Sequence, residues 1–293
     1  MMNKKVLTMA VMAAVCGMAA APVWAANSGG TVNGDGKFVG DNGAADNRLL
    51  IDEDSRQEII SGLGTGNDKV QNNSIEVSNG TISEKIIGGM SEGDGDIDSN
   101  SITISGGKMR DAVYGAYTEG DGAVTNNSVT ISGSAAEVDR EVFGAYTEGS
   151  GIVAYNSVTL TDGLLNGEVY GGASTKNGIA EYNSVTVSGG TINMLATGGV
   201  SMDNVARYNN VTVTGGTIKG SIYGGMSEIN AIENKVMISG GNIGGDVYGA
   251  ESKTESSATG NEVIISGTPT FESAYGTNIY GASTFDGEIT GNK

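Results

Sequence analysis

The side chains in this sequence that could act on a substrate or hold an ion are acids and phenols. Asp94-Gly95-Asp96-Ile97-Asp98 sets carboxylates at alternate positions, which is how an oxygen cage for Ca²⁺ begins. An EF-hand loop opening at Asp94 also needs Gly at its sixth place and Glu at its twelfth. This chain has Ser99 and Ser105 there. Paired carboxylates can also cleave glycosidic bonds, yet the acids fall singly or in pairs in every loop, with no unique cluster. A solvated loop is the plainer account of both features, and no metal or cofactor is expected. Imidazole chemistry is excluded outright. The 293 residues include no His and one Cys, so there is no Ser/His/Asp or Cys/His nucleophile system and no His metal ligand.

Charge and composition narrow the partners. A formal net charge of −18 opposes binding to nucleic acid or to anionic lipid headgroups. The 49 Gly follow no G-x-y period, and the abundant Val, Ile and Thr point to β-structure with many turns. The N-terminal segment reads as an address: Lys4 and Lys5, an apolar run from Val6 to Ala21, then Pro22-Val23-Trp24-Ala25-Ala26. This is a signal peptide, residues 1–25, cut between Ala25 and Ala26. Cleavage removes Cys16, Lys4 and Lys5 and takes the formal charge from −18 to −20.

Beyond the leader, one unit is copied many times. The string Asn-x-(Val/Ile)-x-(Val/Ile/Leu) starts at Asn73, Asn100, Asn127, Asn156, Asn183, Asn209, Asn234 and Asn261, with a degenerate start at Asn47. The period is about 27 residues, one small supersecondary unit. Each copy carries three apolar runs, for example Asn183-Ser184-Val185-Thr186-Val187, Glu168-Val169-Tyr170-Gly171-Gly172 and Gly178-Ile179-Ala180-Glu181-Tyr182. Their alternation and Gly punctuation predict short strands. The expected fold is all-β: a right-handed parallel β-helix, or β-solenoid, of about nine turns with three short strands each. A β-propeller blade needs about 40 residues. These copies are too short for one. The domain reading is residues 1–25 signal peptide, 26–46 N-terminal cap region (with Thr31-Val32 and Phe38-Val39 as capping segments) and 47–293 repeats, truncated at the C-terminus.

Stacking gives each recurring residue a position. Val185 and Val187 share a face with Asn183, whereas Ser184, Thr186 and Ser188 point the other way. The eight asparagines, Asn73 to Asn261, are expected to form a structural amide ladder at a corner. The Gly after each aromatic, such as Gly115, Gly144 and Gly171, reads as a corner that needs positive φ or has no room for a Cβ. The aromatic column Tyr114, Phe143, Tyr170, Tyr223, Tyr248 and Tyr280 is a candidate partner-binding stripe. Facing outward, such rings suit sugars or a protein partner; facing inward, they are packing.

The leader followed by Asn-Ser-Val-Thr-Val-Ser-Gly-Gly (183–190) and Val-Tyr-Gly-Gly (169–172) resembles the passenger region of bacterial autotransporter adhesins. The resemblance spans about Asn47 to Lys293 and is one of repeat style. It implies export through Sec and a β-helical stalk on, or released from, the surface of a Gram-negative-type bacterium. The implied role is attachment to a host or bacterial surface protein or glycan, or self-association. It further implies an outer-membrane β-barrel translocator; no alternating strands of the kind such a barrel needs follow the repeats, so the barrel is expected on a missing C-terminal part. The alternative expectation is a secreted β-helix enzyme, a lyase or hydrolase acting on polysaccharide.

Overall fold

The computed structural model describes residues 30–32, 37–40, 43–253, 256–272, 276–285 and 287–293. The leader and its cleavage site at Ala25 and Ala26 lie outside the described residues. Among those described, every regular element is a β-strand. About nine turns stack as a parallel β-solenoid, each turn beginning at one of the repeated asparagines.

The turns are built on four strand positions rather than the expected three. In the turn opened by Asn183 they are Ser184–Val187, Thr191–Ile192, Ala196–Ser201 and Val205–Arg207. The additional strand is Thr191–Ile192 and its equivalents, such as Lys108–Met109 and Leu164–Leu165. It follows the Ser-Gly-Gly turn and contributes one inward side chain per turn, too short a run for period-2 alternation to reveal. Equivalent strands pair in parallel and in register, as in Thr130↔Thr159, Thr159↔Thr186 and Thr186↔Thr212. The four strand types thus form four sheets running along one rod. At about 4.8 Å per strand spacing, nine turns span on the order of 40 Å.

At the N-terminal edge the chain reverses. Gly30–Val32 pairs antiparallel with Phe38–Gly40, which then pairs in parallel with the third-strand sheet through Phe38↔Ile59 and Val39↔Ile60. Antiparallel pairing ends a parallel stack because it takes up the edge hydrogen bonds without offering the same register again.

The main core is a file of aliphatic side chains from the first three strands. Val158, Leu160, Leu165 and Val169 in one turn lie beside Val185, Val187, Ile192 and Ala196 in the next, all without exposure. Burial of each large aliphatic side chain contributes about 1.5–3 kcal/mol. A second, smaller core lies between the third and fourth strands and holds Val70, Ile97, Ala116, Val124, Ala145 and Val153.

The two cores are separated where Gly171 and its equivalents press on the first sheet. A Cβ on Gly171 would lie 2.3 Å from the Gly198 carbonyl oxygen and 2.6 Å from the Ser184 nitrogen. Lack of room is therefore the reason for Gly here. Positive φ occurs instead at the second Gly of the Ser-Gly-Gly turn, as at Gly190 (φ 70°).

Candidate functional site

The repeated asparagines form one buried column through the rod. Asn156 donates from its backbone N and from Nδ2 to Oδ1 of Asn183, both at 3.0 Å, and Asn183 does the same to Asn209 at 2.9 and 3.1 Å. The remaining Nδ2 proton of Asn183 goes to the Val153 carbonyl at 2.8 Å. Asn73, Asn100, Asn127, Asn209, Asn234 and Asn261 repeat the pattern, and the column extends at its ends to Asn47 and Asn292. Each Oδ1 accepts two bonds and each amide donates two, so donors and acceptors are matched in a site closed to water. Aligned amide dipoles of this kind strengthen one another. The arrangement leaves no amide atom facing solvent with which to take a ligand.

The residue before each ladder Asn turns the chain into the first strand through left-handed backbone. Asn72, Ser99, Asn126, Tyr155, Tyr182, Tyr208 and Glu233 all have φ of 50–59° there. The conformation costs a non-Gly residue roughly 1 kcal/mol. The neighbouring ladder bonds hold it in place. One consequence is a stack of corner tyrosines, exposed at Tyr155 and Tyr182 and half-buried at Tyr208, with Tyr155 on Tyr182 at 5.0 Å and Tyr182 on Tyr208 at 4.9 Å between centroids. Sequence reading missed this stack, although Tyr before Asn in three successive copies was the available signal.

The aspartates of 94–98 are engaged between turns. Oδ1 of Asp94 accepts from the Asp121 nitrogen at 3.0 Å and Oδ1 of Asp96 from the Ala123 nitrogen at 2.9 Å. Asp98 accepts from Thr125 Oγ1, Asn126 Nδ2 and Lys69 Nζ. Burial raises the pKa of Asp98, but the bonds from Asn126, Thr125 and Lys69 outweigh it and hold the carboxyl below its usual range. Ile97, between them, is buried in the second core. These carboxylates tie one loop to the next rather than converging on an empty centre.

The aromatic column faces outward, and its setting depends on a bend in the third strand. In Val113–Thr118, Val113 enters the main core and Ala116 the second, while a Cβ on Gly115 would also meet backbone. Two consecutive inward positions, Gly115 and Ala116, break the period of two. Tyr114 and Tyr117 consequently lie on the same outer side, with ring centroids 5.5 Å apart and planes at 73°. In an unbent strand residues three apart point to opposite faces. The bend thus makes an external angle with one row of side chains on each side.

One row contains Ile60, Ile87, Tyr114, Phe143, Tyr170, Thr197, Tyr223, Tyr248 and Tyr280, in register from turn to turn. The other contains Leu63, Met90, Tyr117, Tyr146, Ala173, Val200 and Met226. Tyr114 stacks on Phe143 at 5.1 Å and Phe143 on Tyr170 at 4.9 Å, nearly parallel. Tyr223, Tyr248 and Tyr280 form a second stack at 4.9 and 5.1 Å. Thr197, buried between the two stacks, donates to Met226 Sδ at 3.7 Å.

Carboxylates accept hydrogen bonds from the phenols. Tyr117 Oη lies 3.2 Å from both Glu119 and Glu148, Tyr248 Oη donates to Asp246 at 3.4 Å, and Tyr170 Oη donates to Glu168. Burial, followed by the charges of Tyr146, Glu141, Asp111 and Glu148, pushes the Tyr114 phenol up to about 12. Burial and then Asp246 push Tyr248 up to about 12 as well. Tyr117 and Tyr170 are raised further, by burial first and then by their glutamates.

A raised folded pKa means that the stability these phenols contribute is intact below about pH 10, the unfolded value, and is lost as pH climbs through 12. In an alkaline titration followed by phenolate absorbance, Tyr114, Tyr117, Tyr170 and Tyr248 are expected to ionise well above pH 10, together with loss of β circular dichroism. Ionisation of these four phenols near pH 10 with the β signal intact would contradict this placement.

Comparison of the chain with known family models, with curated proteins and with solved structures returned no match.

Proposed function

We propose that this chain is the β-helical passenger of an exported surface protein that mediates attachment or self-association. The observation that carries the reading is the bent third sheet, whose outward aromatic rows run in register through successive turns on a rod held from inside by a continuous amide ladder. A rod of stacked turns offers a long, preformed surface that loses little conformational entropy when it meets a partner. The acidic excess keeps such a stack soluble and discourages edge-to-edge association.

In this reading residues 1–25 direct export, the repeats form the stalk, and a translocator barrel encoded with or beside the chain places it at the cell surface. The repeat style shared with autotransporter adhesins supports the reading. Its partners are surface proteins or glycans of a host or of other bacteria.

The test is surface display and loss of attachment. Antibodies raised against the repeats should label intact cells of the source bacterium as strongly as permeabilised ones. A deletion strain should attach less to host cell layers or to its own kind, and adding purified protein should compete with the parent strain. Labelling only after permeabilisation, or unchanged attachment in the deletion strain, would overturn the proposal.

A further inference from the structure

The external angle of the third sheet is acidic on both sides. Two residues before the aromatic row stand Glu141, Glu168 and Asp246; just beyond the second row stand Glu119, Glu148 and Glu228. Between them, over the turns of Tyr114, Phe143 and Tyr170, the rings stack on one another at 4.9–5.8 Å. Their faces therefore cover each other and are closed to a sugar ring, which stacks on faces. What the groove presents is ring edges, hydroxyls and carboxylates.

The chain itself shows what such a surface accepts. At the end of the stack, where Tyr114 and Tyr117 pack against the aliphatic Ile87 and Met90 of the preceding turn, Lys85 Nζ lies 5.9 Å from the Tyr114 centroid and 5.8 Å from that of Tyr117. An ammonium against an aromatic face, with acids nearby, is a favourable pairing.

We propose that the groove from Tyr114 to Tyr170 binds an extended, basic polypeptide segment of a partner protein, with Lys or Arg side chains reaching the carboxylates on both walls. The proposal rests on the attachment reading above and deepens it by naming the class of partner. Charge complementarity selects the occupant: over these turns four carboxylates, Glu119, Glu141, Glu148 and Glu168, flank the rings in a chain of formal net charge −18. Long cationic side chains also lay their methylene stems on apolar surface while the charged heads reach acids.

The probe is a fluorescent peptide of alternating Lys and Thr, titrated against the purified protein by anisotropy at low and physiological salt. Peptides of alternating Glu and Thr, and a neutral oligosaccharide, serve as controls. Two triple variants carry the same charge change: Glu119→Gln with Glu148→Gln and Glu168→Gln in the groove, and Glu76→Gln with Glu181→Gln and Glu262→Gln on other faces. Unchanged circular dichroism establishes that each is folded.

The expected result is about a tenfold weaker Kd for the groove triple and less than a twofold change for the other, since rim ion pairs contribute about 0.2–1 kcal/mol each and 1.4 kcal/mol is tenfold. Equal weakening in both triples, no binding by the parent protein, or preference for the oligosaccharide would overturn the inference. Attachment of cells displaying each variant separates the two readings. Attachment that survives the groove triple sinks the basic-segment proposal alone, whereas absence of attachment by the parent sinks the surface reading.

Discussion

Replacing Asn183 by Leu is expected to lower stability by about 3–5 kcal/mol, measured by urea denaturation. The substitution removes the oxygen that accepts both the backbone and Nδ2 bonds of Asn156, and the donor to Val153. Asn156 and Asn183 have no exposure, so the orphaned donors gain no water in return. Each buried unsatisfied group costs about 1–3 kcal/mol. Asn183→Asp makes a sharper test of the same bonds. An aspartate there keeps the acceptor but, when ionised, has no proton for Asn209 or Val153 and carries a buried charge. Its folded pKa should therefore be raised, and the variant should gain stability relative to the parent as pH falls from 7 towards 5. A loss of under 1 kcal/mol for Leu, or no pH dependence for Asp, would show that the ladder contributes little.

Gly171→Val is expected to cost about 3 kcal/mol or more, because the obstruction is backbone on both sides. The Gly198 carbonyl and the Ser184 nitrogen cannot rotate away, so neighbouring strands must separate and the cores on either side lose packing. The adjacent position supplies an internal control. Ala116, Ala145 and Ala250 occupy the place of Gly172 in turns whose ladder bonds are intact, so a Cβ is compatible with the ladder there, and in this turn it would meet the Asn183 and Val153 side chains rather than backbone. Gly172→Ala should cost under about 1 kcal/mol. Equal effects at the two positions would contradict the account of the bend, because only Gly171 presses on backbone.

These two positions differ in how plainly the sequence announces them. The ladder positions are legible because Asn opens an alternating string at a near-constant period, and alternation assigns Val158, Leu160, Val185 and Val187 to one face. Sequence shows that Gly171 recurs, but not whether it is needed for φ or for room, since that depends on a backbone in the neighbouring turn. Orientation of the aromatic rows is hidden for the same reason. Two inward residues in succession, Gly115 and Ala116, suspend the period-2 rule from which facing is inferred.

The left-handed positions are illegible because Asn72, Ser99, Tyr155 and Glu233 share no side-chain type. The ladder imposes that conformation from outside the residue. Strands such as Thr191–Ile192 escape notice because a single inward Ile sets no pattern. Of the candidate stripe, Tyr114, Phe143 and Tyr170 form one continuous stack and Tyr223, Tyr248 and Tyr280 another, with the break at Thr197. The partner row of Tyr117 and Tyr146 is visible only once the bend is known.

All of this rests on a stack that advances one strand per turn in a single direction. Pulsed electron spin resonance reads that advance directly, with one spin label at Glu76 and a second at Thr159, Thr186, Thr212 or Met237, positions that follow one another in register on the outer face of the first sheet. The predicted label separations are about 14, 19, 24 and 29 Å, rising by about 4.8 Å per turn. A series that plateaus, alternates or falls as the second label moves along the chain would contradict the solenoid.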